Sequence, residues 1–73
     1  MNVEYDDDAD ALYIAVRKGQ YKISEEISDD VIIDLDKNCR ILGIEILGIS
    51  HKLESGLLRQ MLKAEKIPYK MKT

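Results

Sequence analysis

The sequence predicts an α+β domain: a four- or five-stranded antiparallel meander with one C-terminal helix packed on one face. Three observations predict it. Between residues 11 and 49, short segments alternate apolar and polar residues at the two-residue period of a strand. Acid-, Asn- and Gly-containing turns punctuate them at short intervals. From Ser50 onward the period lengthens, and Leu53, Leu57, Met61 and Ala64 recur at helical spacing, widened by Leu58 and Leu62 into a broad stripe.

The elements follow in order. Asn2 to Tyr5 reads as a short strand that ends at the acidic cluster Asp6-Asp7-Asp8-Ala9-Asp10. "LYIAVR", residues 12–17, sets Leu12, Ile14 and Val16 against Tyr13, Ala15 and Arg17. Lys18-Gly19 supplies a turn. In "YKISEEIS" the aliphatics Ile23 and Ile27 are separated by acids, the pattern of an edge strand. Asp29-Asp30 turns the chain into "VIIDL", with Val31, Ile33 and Leu35 on one face and Ile32 on the other. "RILGIEILGI", residues 40–49, is apolar on both faces, and Gly43 and Gly48 mark a bulge or a close backbone approach. The helix is expected over 51–65, with Ser50 as its N-cap and Lys63 and Lys66 near its negative end. Gly56 moves its firm start toward Ser55. Pro68 then leaves a loose basic tail over 66–73.

Seventy-three residues make one domain, 1–73, with the sheet in 1–50. A chain this short buries only about 60% of its unfolded surface. It has neither Trp nor Phe, so Ile, Leu and Val must build the core. Small domains add disulfides, a metal or a partner. Cys39 is the single cysteine, which excludes an internal disulfide and suits a reducing, cytoplasmic setting. No apolar run is long enough for a signal peptide or a membrane span. A partner remains. Strands 31–35 and 40–49 show apolar residues on both sides, whereas a sheet with one wet face alternates cleanly. A homodimer packed sheet on sheet is therefore expected, with Ile32, Ile41, Leu47, Leu57 and Met61 as the candidate dimer or partner face.

Charge is unevenly placed. Residues 1–36 carry eleven acids and three bases, whereas residues 37–73 carry eight bases and three acids. The acidic half suits a basic protein partner. The basic tail, Lys63, Lys66, Lys70 and Lys72, suits an acidic surface, but a pI near 5.0 argues against a dedicated nucleic-acid binder.

Chemical motifs are sparse. In "DLDKNCRILGIE", Asp34, Asp36, Asn38 and Glu45 match the first, third, fifth and twelfth positions of a calcium loop. The sixth position needs Gly and holds Cys39, and the flanks read as strands, so the stretch is a hairpin turn. There, Asp36 opens the turn, and Asn38 or Cys39 takes the left-handed position that closes it. Asp6, Asp8 and Asp10 are the alternative: with Asp7 they put four carboxylates in a short loop that can hold a divalent ion, in a metal-binding protein or metal-dependent enzyme. Their plainer reading is a turn ordered by side-chain hydrogen bonds to the backbone. His51 is the only histidine and has no nucleophile at usable spacing. Phosphate loops, Cys/His metal spacing and stacking platforms for bases are absent, so no enzyme and no cofactor is expected.

The segments "VEYDDDADALYIAV" and "DDVIIDLDKNCRILGIEIL" with the leucine-rich helix resemble the small prokaryotic domain-of-unknown-function family 2283. Its members look like Y-D-x-x-x-D-x-L-Y-I followed by V-I-L-D-L-D-x-x-G-x-I-V-G-I-E-I. The resemblance implies a compact antiparallel sheet plus a helix and brings no activity or catalytic residues. It suggests an antitoxin-like partner of a small toxin. The family's turn glycine is Cys39 here. The resulting expectation is a non-enzymatic, dimeric protein-interaction domain.

Overall fold

A computed structural model describes residues 2–52, 55–65 and 69–70. Its strands are β1 Asn2–Asp6, β2 Ala11–Ala15, β3 Tyr21–Ser28, β4 Val31–Asp36, β5 Ile41–Leu47 and β6 Tyr69–Lys70. They form one sheet in the order β3-β4-β5-β2-β1-β6. The first five pair antiparallel, as the alternation predicts. The hairpin β1-β2 and the meander β3-β4-β5 join where β5 returns beside β2. The link 16–20 therefore carries the chain from the middle of the sheet to its far edge, and the N–H groups of Val16 and Arg17 both donate to Leu42 O on the way.

Helix α1, Ile49–Lys52, and helix α2, Ser55–Ala64, occupy the region where a single helix over 51–65 was expected. Two features bring the helical start forward. Gly48 takes φ +63, a left-handed conformation that ends β5 and that glycine adopts without steric penalty. Ser50 then gives its backbone N–H and its hydroxyl to Asp10, at 3.1 and 2.7 Å. It is a residue inside α1, held by a distant carboxylate, rather than the N-cap. Within the stretch expected as a loose tail, Tyr69 and Lys70 instead form β6, parallel to β1 and paired with Tyr5 and Asp6. The side of β1 turned away from β2 thereby gains backbone partners. Leu53, Lys66, Pro68 and Lys72 lie outside the described residues, as do the side chains of Leu58, Met61 and Lys70.

Among the described residues the buried hydrophobics are Tyr5, Ala11, Leu12, Leu42, Ile49 and Leu62. Tyr5, Leu12, Ile49 and Leu62 form one cluster, with Val3 and Ile46 packed against it. Leu62, 2% exposed, joins α2 to this cluster. Burying a leucine contributes about 1.5–3 kcal/mol.

Candidate functional surface

Residues opposite one another in an antiparallel ladder share a face of the sheet. The register therefore assigns the two faces. On one, Val3, Ile14, Ile44 and Ile33 form a row across β1, β2, β5 and β4, and Tyr5, Leu12, Ile46 and Val31 form the next. Leu35 and its β3 partner Ile23 extend this face toward the edge. Among the described residues, α2 packs through Leu62 against the corner at Tyr5 and Leu12. Ile14, Ile44, Ile33, Val31 and Leu35 remain half-buried, and Ile23 is exposed. A continuous aliphatic strip thus runs from the helix to the β3 edge.

The opposite face is more polar. Tyr13 on β2 donates its phenol hydrogen to Asp34 Oδ2 on β4 at 3.2 Å, crossing β5 to do so. That crossing needs Gly43, because a Cβ there would collide with the Tyr13 ring. Asp34 Oδ1 accepts from Ser24 Oγ on β3 at 2.7 Å, and Ser24 is 2.8 Å from the Tyr21 hydroxyl. One hydrogen-bonded chain therefore reaches from β2 to the edge strand. Burial, then the hydrogen bond to Asp34, and then the charges of Asp34 and Glu45 push the Tyr13 phenol above its usual range, so it stays a donor.

Of the expected partner residues, two share a face and the others lie elsewhere or outside the described side chains. Ile32 and Leu47 lie on this polar face, with Ile32 opposite Glu45 and Leu47 opposite Ala11. Ile41 sits opposite Leu35 at the end of β5, beyond a register shift. Leu57 is 52% exposed on α2, and Met61 falls among the side chains outside the described set. What periodicity missed is the row Ile14–Ile44–Ile33, which only strand order can align. The glycine that opens the path of Tyr13 was visible; its partner was not.

The acidic loop is built as a turn. Asp6 Oδ1 accepts the N–H groups of Asp8 and Ala9 at 3.0 and 3.4 Å. Asp10, at φ 51, receives the Tyr5 hydroxyl at 2.9 Å in addition to both Ser50 donors. Burial raises its proton affinity, but the hydrogen bonds from Ser50 and Tyr5 outweigh it and hold the carboxyl below the usual range. Tyr5 is pushed up to about 12 by burial and by Asp10. Asp10 therefore ties the β1-β2 turn to α1. Among the described residues no group of three or more His, Cys, Asp or Glu side chains converges to hold a metal.

The second expected loop is also a turn. Buried Asp36 accepts the N–H groups of Arg40 and Asn38 at 2.9 and 2.8 Å and the Arg40 guanidinium at 3.0 Å. Those bonds, the Arg40 N–H foremost, hold its carboxyl below the usual range despite its burial. Cys39 takes the left-handed position at φ 63.

A family model described as "Protein of unknown function (DUF2283)" matches residues 2–50. The chain belongs to this family. The match covers the five antiparallel strands and ends at the first residues of α1, so the matched segment of this chain includes both carboxylate-capped turns and the Tyr13–Asp34 crossing. No curated protein and no solved structure matches the chain.

Proposed function

We propose that this domain is a non-enzymatic, homodimeric protein-interaction module whose partner surface is the aliphatic face of β2, β5 and β4. The half-buried row Ile14–Ile44–Ile33 carries the reading, because water-facing aliphatics in register across three strands are stabilised when another protein removes them from water. Glu25, opposite Ile33 on the same face, and the acidic balance of residues 1–36 suit a partner with an apolar centre and a basic rim. A small basic toxin neutralised by this chain is a partner of that chemistry. Exposed Cys39 and the lack of a second cysteine fit work in a reducing cytoplasm. No helix among the described residues is long and apolar enough to cross a membrane. The metal reading draws no support here, since Asp10 is already engaged by Tyr5 and Ser50.

Two measurements test this. Light scattering at about 50 µM, well above ordinary dimer dissociation constants, is expected to return twice the chain mass. Affinity purification from the native host is expected to recover a basic protein that Ile33→Lys no longer retains. A monomer, or recovery of the chain alone, overturns the corresponding half of the reading.

A further inference from the structure

All eight residues of the edge strand β3, Tyr21–Ser28, are exposed. Three of the four exposed large hydrophobics among the described residues, Tyr21, Ile23 and Ile27, lie on it. Its outer side carries backbone donors and acceptors of the kind that template another strand. We propose that two copies pair antiparallel through β3, in the register centred on Ser24, so that the dimer is one continuous sheet.

The charges select that register. A two-fold axis normal to the sheet must pass through a residue that faces itself. Centring on Glu25 or on Glu26 sets like charges directly opposite each other, which is destabilising. Centring on Ser24 sets Ile23 opposite the partner's Glu25 and Lys22, at the border of the regular stretch, opposite the partner's Glu26, twice by symmetry. Centring on Ile23 leaves Lys22 opposite Ser24 and Tyr21 opposite Glu25, with no charge matched. Neither Lys22 nor Glu26 has an ion-pair partner among the described residues of its own chain. The acids of β3 thus disfavour the registers centred on Glu25 and Glu26, and of the four compared only the one centred on Ser24 matches opposite charges. Register shifts at Tyr21/Ile23 and Glu26/Ser28 bound the regular stretch of β3, which Ser24 falls within.

This inference rests on the homodimer proposed above and deepens it. Helix α2 sits at the β1-β2 end, away from β3. Joining the β3 edges therefore places the two half-buried aliphatic strips side by side on one surface, between two helices. The partner surface becomes a trough twice as long.

The test uses the full chain with Cys39→Ser. Self-opposed residues in such a pair have Cα atoms about 4.5–5.5 Å apart, within disulfide reach. Ser24→Cys is therefore expected to cross-link into a covalent dimer on mild oxidation. Ser28→Cys is the control, since its copies would lie about 26 Å apart at ~3.3 Å per residue, and it should stay unlinked. Lys22→Glu is expected to weaken dimerisation about tenfold, and adding Glu26→Lys should restore it to within about threefold. A dimer in which Ser24→Cys fails to cross-link, or which ignores Lys22→Glu, overturns the edge pairing and leaves the homodimer standing with its sheets face to face. A chain that is monomeric at every concentration overturns both.

Discussion

Cys39 shows what a single residue contributes to this fold. It closes the β4-β5 turn in a left-handed conformation that costs a residue with a Cβ about 1 kcal/mol or more. Asn38, which tolerates that conformation better, is not the residue that takes it. Cys39→Gly is expected to raise stability by about 0.4–1 kcal/mol, read as a higher melting temperature; an unchanged or lower value would show that the strain is relieved elsewhere. Asp36 and Asp10 act beside it as fixed acceptors. Their folded carboxyls titrate below the usual range, so their stabilisation is complete above an unfolded-state pKa of about 3.9 and is lost as pH falls through the lower folded values. Melting temperature is therefore expected to drop below about pH 4, with Asp36→Asn flattening that drop. A melting profile independent of pH down to about 2 would contradict this.

Among the elements, β5 decides most. It lies between β2 and β4, and its sequence reads as apolar on both sides. Gly43 in its middle lets Tyr13 cross to Asp34. Gly43→Ala is expected to destabilise by about 1–3 kcal/mol, through overpacking against the ring and loss of its hydrogen bond. Tyr13→Phe should cost less, since only the hydroxyl is lost, and chemical denaturation of the two variants separates the two effects. Strand β3 was legible as an edge from its acids and its separated aliphatics, and the structure puts it there. The helix was legible in kind, and its firm segment begins at Ser55, the residue that Gly56 pointed to. Its early first turn was not legible, because the Asp10–Ser50 contact joins residues forty apart.

At the scale of the whole molecule, the buried cluster among the described residues gathers where β1 and β2 meet the helices, while β4 and β5 hold half-buried Ile and Val. The proposed dimer would use those residues, and pairing through the β3 edge would let two copies extend the strip together. By itself the sequence determined the alternation of five strands, the turns and their acidic caps, the helical C-terminal region and the shortage of core. Each of these depends on neighbours a few residues apart. Only the tertiary structure decided that β5 returns beside β2, that Asp10 reaches Ser50, that Tyr13 passes over Gly43, and that Ile14, Ile44 and Ile33 align in one row. These are pairings between distant residues, and strand alternation specifies which way a side chain points without specifying which strand lies next to it.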